Sequence, residues 1–298
     1  MVKVAVTGSS GLIGTALVTQ LQSSGHEVLR LVRRTPRVTG EVRWNPETGD
    51  LDPKLLAGVD AAVNLAGAGV GDKRWSDGYK QTILTSRVTS TRTLVTAMLA
   101  MDTPPQVLVS GSAQGFYGDR GDEVLTEASP CGQGFLVDVV RAWEAEAMRA
   151  DQGGVRVVLA RTGLVMAPDG GAFGKLLPLV KLGLGGPLGN GRQWWSWITL
   201  ADQVAAIEHL IRSTVSGPVN LCAPGVARNR DVVGALGRAF GRPTLLPAPA
   251  FALRAVVGEF SSEILASTRM SPEVLQGNGF RFRHPDLDGA ARWLAESR

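Results

Sequence analysis

The stretch Thr7-Gly8-Ser9-Ser10-Gly11-Leu12-Ile13-Gly14 follows the apolar run Val2-Lys3-Val4-Ala5-Val6 and leads at once into an amphipathic segment, Leu12 to Ser23. A strand that ends in a glycine-rich turn and opens a helix is a device for holding a dinucleotide pyrophosphate. Gly8 permits the sharp turn, because glycine reaches backbone angles closed to other residues. Gly11 lets the backbone approach the phosphates, and Gly14 lets the new helix pack closely on the strand. The unpaired amides of the first helical turn then face the anion. The spacing is G-x-x-G-x-x-G. Glycine triplets also serve ordinary turns, and the place of this one between strand and helix is the context that favours a cofactor. Thr7, Gly8, Ser10, Gly11, Leu12, Ile13 and Gly14 are the candidate contacts.

Outward from this turn, strand and helix patterns alternate, which predicts an α/β fold with a parallel sheet covered on both faces. The predicted strands are Lys3–Thr7, Glu27–Val32, Ala61–Leu65, Gln106–Ser110 and Val155–Thr162, with one more near 218–222. Predicted helices cover Leu12–Ser23, Tyr79–Met101, Phe135–Ala150 and Leu200–Ser213. Beyond Ala167 the regularity fades into glycine-rich loops at 168–174 and 183–191, followed by a helical, proline-broken C-terminal part. The expected organisation is a Rossmann-type, doubly wound domain over 1–166 plus about 198–222. Substrate-side loops over 167–197 and a smaller C-terminal domain over 223–298 complete it. The crevice between them would form the site.

Composition narrows the function classes. With 44% hydrophobic residues the chain can bury a large core. The two cysteines, Cys131 and Cys222, lie far apart, and the three histidines are scattered, so no metal or disulfide spacing arises and a reducing, cytoplasmic setting is expected. The apolar stretch Leu245 to Val257 is broken by Pro247, Pro249 and Arg254 and is too short to span a bilayer. The net charge of +4 is mild and comes without a recognisable nucleic-acid module. Neither nucleic acid nor membrane is expected as a partner. A small-molecule substrate is, with the protein a monomer or homodimer.

The second predicted strand ends Leu31-Val32-Arg33-Arg34, with no acid nearby. An acid there would bind the ribose hydroxyl of NAD, whereas arginine accommodates the 2′-phosphate of NADP. Arg33 and Arg34 therefore point to NADP, against the plainer reading of solvated loop charges.

Further motifs fall in order: Asn64-Leu65-Ala66-Gly67, Ser110-Gly111-Ser112-Ala113-Gln114-Gly115-Phe116-Tyr117-Gly118, and Arg161-Thr162-Gly163-Leu164-Val165. With the first turn, these resemble the extended short-chain dehydrogenase/reductase superfamily. Arg74-Trp75, Ser86-Arg87, Tyr117 to Gly121, Trp143-Glu144, Gly183 to Pro187, Ser196-Trp197-Ile198 and Gly277 to Phe282 sharpen the likeness to one atypical branch. That branch is the NAD-dependent epimerase/dehydratase-like family that includes the bacterial protein YfcH. The resemblance implies an NADP(H)-binding Rossmann fold with a family-specific C-terminal domain. It also implies cofactor contacts at Leu65, Ala66 and Gly67 and along the helix that carries Arg87. For Arg87 a surface salt bridge is the competing reading.

One departure from the superfamily bears on chemistry. Its usual Tyr-x-x-x-Lys pair, which protonates the carbonyl oxygen during hydride transfer, has no counterpart in Phe135 to Glu144. The chain has only two tyrosines, Tyr79 and Tyr117, and neither has that spacing. Ser112 matches the superfamily serine that hydrogen-bonds the reacting oxygen; its alternative is to satisfy backbone at the strand end. Tyr117 could donate a proton or simply pack its ring. On the substrate side, Arg192, Trp194 and Trp195 could stack and fix a polar ligand, or the tryptophans could form a hydrophobic seam. Lys175 is a further candidate anion contact.

Two functions follow. One is an NADP(H)-dependent oxidoreductase or epimerase acting on a small polar carbonyl or sugar-like compound. The other is an NADP(H)-binding regulatory or scaffold protein without turnover.

Overall fold

Strand β1 (Lys3–Thr7) feeds through the glycine turn into α1 (Leu12–Ser23), then β2 (Glu27–Val32) and the short β3 (Glu41–Arg43). The chain continues through β4 (Ala61–Asn64), α2 (Asp77–Leu99), β5 (Val107–Ala113), α3 (Phe135–Met148) and β6 (Arg156–Thr162). Next come α4 (Gly171–Lys181), α5 (Leu200–Arg212), β7 (Gly217–Leu221), α6 (Asn229–Ala239), α7 (Ala250–Val257) and a C-terminal helix, Leu287–Glu296. This is a computed structural model that describes residues 1–297.

The seven strands form one parallel sheet in the order β7-β6-β5-β4-β1-β2-β3. Alternation along β1 explains its two covered faces. Val4 and Val6 join Leu17 and Leu21 of α1 and Ile207 and Leu210 of α5 on one side. Ala5 joins Leu94 and Met98 of α2 and Ala147 of α3 on the other. The strand order reverses between β1 and β4, so the turn after β1 and the segment after β4 flank the crevice where such sheets bind ligands. A separate apolar cluster joins α4, Trp195, Trp197, α6 and the C-terminal helix.

Two departures from the sequence expectations have physical causes. Strand β3 is only three residues long, too short for alternation to reveal it. The segment 168–174 is read from its glycines as loop, yet α4 begins at Gly171. Phe173, Leu176, Leu177 and Val180 recur at helical spacing and are buried, and that packing outweighs the glycines. No helix among the described residues is long and apolar enough to cross a membrane.

Candidate functional site

The turn after β1 is shaped by two glycines that nothing larger can replace. Gly8 has φ +63°, and a Cβ on it would lie 2.5 Å from the Leu65 carbonyl oxygen. A Cβ on Gly14 would lie 2.1 Å from the Gly8 oxygen, so α1 sits against the turn with no space between. Gly11 differs. A Cβ there would find the Gly8 oxygen as its nearest neighbour, at 3.4 Å, so the position is uncrowded within the chain. Gly11 is exposed on the open side of the turn. Helix α1 has no side-chain cap on its N-terminus and no acid in its first turn, which leaves amide donors for an anion.

Thr7 fastens the two lips of the crevice from beneath. Fully buried, it donates from Oγ1 to Asn64 Oδ1 at 2.7 Å and accepts from the amides of Leu65 at 3.1 Å and Ala66 at 3.2 Å. It therefore acts within the chain, whereas Ser10, Gly11 and Gly67 are exposed at the crevice. Leu12 reaches across to the start of α4, where a Cβ on Gly170 would stand 3.4 Å from its Cδ1. Ile13 packs on the core under α1.

At the end of β2 the structure corrects the expectation that no acid is near. Glu41, on β3, accepts from Arg34 Nη1 at 2.7 Å and Nη2 at 2.6 Å, from the Arg37 amide at 2.8 Å, and pairs with Arg30 at 3.1 Å. Its side chain is almost wholly buried, and the Arg34 hydrogen bonds lead in holding its carboxyl down to about 2. The acid comes from a strand that the sequence does not announce, and it faces arginine, not the crevice. Arg33 is exposed beside this pair.

Arg87, on α2, lies against Gly67, where a Cβ would meet its Cγ at 3.0 Å. Its Nη1 donates to the carbonyls of Ala68 at 2.9 Å and Ile83 at 3.0 Å, and the guanidinium stacks over Trp143 at 5.3 Å. Burial pushes its pKa down to about 10. The surface salt-bridge reading does not hold: both bonds go to carbonyls, and the cation lies inside the crevice wall.

Ser112, near the end of β5, donates from Oγ to Glu144 Oε1 at 2.6 Å. Arg161 grips the same carboxylate, Nε to Oε1 at 2.9 Å and Nη2 to Oε2 at 3.0 Å, in a bidentate buried pair. The serine proton is thus directed at Glu144, and its oxygen lone pairs are what remain for a ligand. Tyr117 belongs to the same network. It is fully buried, with its hydroxyl 2.7 Å from Asn220 Oδ1 and 3.2 Å from Arg161 Nη1, and burial raises its phenol above the ordinary value. The expectation of a proton-donating Tyr117 is therefore corrected: the ring packs and the hydroxyl is consumed inside the fold. Glu144, Arg161 and Asn220 carry no role in the sequence reading. An arginine closing an otherwise apolar strand, and an acid within an apolar helix face, were the available signals.

On α3, Leu136 and Val140 stand one turn apart and both approach Gly115. Phe135 and Val139 pack with Trp75 and Ile83. The face of α3 that carries Phe135, Leu136, Val139 and Val140 is thus apolar.

The substrate-side candidates separate. Trp195 is buried against Phe173, ring centroids 6.3 Å apart, and belongs to the core, which corrects its assignment to a ligand wall. Trp194 is half-buried, donates to Asp122 at 2.7 Å and has the guanidinium groups of Arg228 at 4.6 Å and Arg269 at 4.4 Å over its ring. Arg192 is exposed, and its carbonyl accepts from Arg228. Lys175 reaches from α4 to the Gly71 carbonyl and so bridges the mouth of the crevice.

Residues 4–222 match the NAD dependent epimerase/dehydratase family, and residues 248–294 match a domain of unknown function, DUF1731. The chain belongs to the NAD dependent epimerase/dehydratase family. Among relatives of this epimerase-family protein is the Epimerase family protein MT2273 of Mycobacterium tuberculosis, 45% identical over 99% of this chain and 98% of that one. The crystal structure of human epimerase family protein SDR39U1 with NADPH has a TM-score of 0.93 and 32% identity, covering 99% of this chain and 100% of that chain. A nucleoside-diphosphate sugar epimerase from Corynebacterium glutamicum gives a TM-score of 0.80 and 36% identity, over 99% of this chain and 58% of that chain. In this epimerase-family protein, then, the glycine turn, the Gly67 segment against which Arg87 lies, and Ser112 are at the carboxyl ends of β1, β4 and β5, the edge at which such sheets bind ligands.

Proposed function

We propose that the chain is an NADP(H)-binding oxidoreductase or epimerase acting on a small polar carbonyl or sugar-like substrate. The observation that carries this reading is the uncapped N-terminus of α1 at the sheet's switch point, beside a turn in which Gly8 and Gly14 leave no room for side chains. Ser10, Gly11 and the first amides of α1 would hold the pyrophosphate. Arg33 and the Glu41-braced Arg34 would take the 2′-phosphate, consistent with the NADPH in the human SDR39U1 crystal. Leu65, Ala66, Gly67 and Arg87 would line the path toward the nicotinamide. Bound there, the cofactor supplies a hydride donor or acceptor.

The chain's own contribution is orientation. Because Ser112 gives its proton to Glu144, its oxygen is suited to accept from a substrate hydroxyl. Trp194 and Arg192 are the remaining candidates for the substrate side, with Lys175 at the mouth. A reducing cytoplasmic setting fits the unpaired cysteines Cys131 and Cys222.

The test is a titration with NADPH and NADH side by side, followed by reduced-nicotinamide fluorescence. Preference for NADPH that Arg33→Ala removes supports the reading; equal or absent binding of both refutes it. A second reading, an NADP(H)-binding regulator without turnover, is favoured by the inaccessible Tyr117 hydroxyl and the apolar face of α3. It predicts tight NADPH binding with no turnover on a carbonyl panel.

A further inference from the structure

Six large apolar side chains that are more than half exposed come from two short stretches: Leu182 and Leu184 after α4, and Leu245, Leu246, Phe251 and Val256 in and before α7. The two stretches run side by side. Ala248 donates to the Pro187 carbonyl at 2.9 Å, and Gly189 donates to the Ala248 carbonyl at 2.8 Å. Gly186 lies so close beneath the Leu246 carbonyl that a Cβ would come within 1.9 Å of it. Helix α7 buries none of its eight residues. Aliphatic surface of this extent is uncommon on a protein that works alone in water.

The exposed cations of this face outnumber the acids beside it. Lys181, Arg242 and Arg254 are exposed in the two stretches, and the acids that flank them are Asp169 and Glu259, the latter already paired with Lys80. A two-fold contact with a second copy would set these cations against one another, with Asp169 as the one flanking carboxylate not already paired with Lys80 to offset them. Leu182, Leu245, Phe251 and Val256 are 71%, 81%, 78% and 75% exposed, so they stand clear of their neighbours and do not line a groove shaped for a partner's side chain. Projecting apolar side chains set among Lys and Arg match a negatively charged bilayer, where the aliphatic tips enter the headgroup layer and the cations meet the phosphates.

We propose that this face, α7 with the Leu182–Leu184 segment, docks the protein on an anionic membrane surface. Docking from the outside needs no spanning helix. It departs from the sequence-based expectation of no membrane partner. The cofactor reading is independent of it.

The experiment is co-sedimentation of the full chain with vesicles of phosphatidylcholine, with and without phosphatidylglycerol. Two variants are compared with wild type, Leu245→Glu with Phe251→Glu, and Arg242→Gln with Arg254→Gln. All four positions are exposed, and thermal melting checks that each variant is folded. Wild type should sediment with the phosphatidylglycerol vesicles and not with phosphatidylcholine alone. The arginine pair should weaken binding about thirtyfold, at roughly fivefold for each cation removed. The Leu245 and Phe251 pair should abolish it, and added salt should weaken the wild type. Failure of wild type to bind anionic vesicles, or equal binding by the variants, overturns the proposal. So does a dimer in analytical ultracentrifugation that the Leu245 and Phe251 pair dissociates.

Discussion

Glu41 and Arg34 form a two-point pair at 2.7 and 2.6 Å between β3 and the end of β2, with the carboxylate buried and the guanidinium turned outward. A buried acid thus braces an arginine at the position where the 2′-phosphate of NADP would be read. Replacing Glu41 with Gln removes one of the two strong acceptors and frees the Arg34 side chain to wander. NADPH affinity should fall by about tenfold, while NADH affinity stays as it is. Fluorescence titration of both cofactors reads the difference.

The same carboxylate sets a pH dependence. Hydrogen bonds from Arg34 hold Glu41 at about 2, below its ordinary value. A depressed carboxylate contributes stability that is fully present above the ordinary carboxylate range and is lost as pH falls through the folded value. Melting temperature should therefore drop across the range from about 4.5 down to about 2, and Glu41→Gln should flatten that limb. Melts at a series of pH values compare the two slopes.

Gly11 and Gly14 should respond to alanine in opposite ways. A methyl at Gly14 would meet the Gly8 oxygen at 2.1 Å, so Gly14→Ala should destabilise the turn by more than about 3 kcal/mol. At Gly11 the same methyl has room within the chain, so stability should change by less than about 1 kcal/mol. Binding of NADPH should nonetheless be lost, because the methyl occupies the approach to the phosphates. Urea melts and cofactor titration on the two variants separate the effects.

Tyr117→Phe deletes a hydroxyl held by Asn220 and Arg161. The cost should be about 1–3 kcal/mol of stability, the range for buried groups that lose a hydrogen-bond partner. Cofactor affinity should not move. Loss of NADPH binding without loss of stability would place the phenol in the crevice after all.

Glu144→Ala should be far more damaging than Ser112→Ala. It strands the Arg161 guanidinium without its carboxylate, and breaking one side of a buried pair costs about 3–5 kcal/mol. Chemical denaturation of the two variants gives the ranking directly.

What could be read in the sequence was what local pattern encodes. The three strand–helix pairs of the first half, β1–α1, β4–α2 and β5–α3, and the turn from Thr7 to Gly14 each announce themselves in local pattern. Side-chain partnerships across the fold do not. Glu41 lies seven positions beyond Arg34 on a strand too short to show a period, and Glu144 meets Ser112 from thirty-two residues away. Tyr117 illustrates the limit. Its motif places it near the site, but whether its hydroxyl faces the crevice or the core depends on Asn220, 103 residues later. Trp194 and Trp195 read alike in sequence, yet one has two arginines against its ring and the other is buried on Phe173.

The three hydrogen bonds of Thr7 have a thermodynamic meaning for whatever enters the crevice. One hydroxyl fixes the end of β1 to Asn64 and to the amides that begin the opposite lip. The ends of β1 and β4 are thus fixed to one another by folding itself, and the entropy of ordering them is spent at that stage. A ligand then meets a finished surface, and little of its binding energy is diverted into arranging the protein around it.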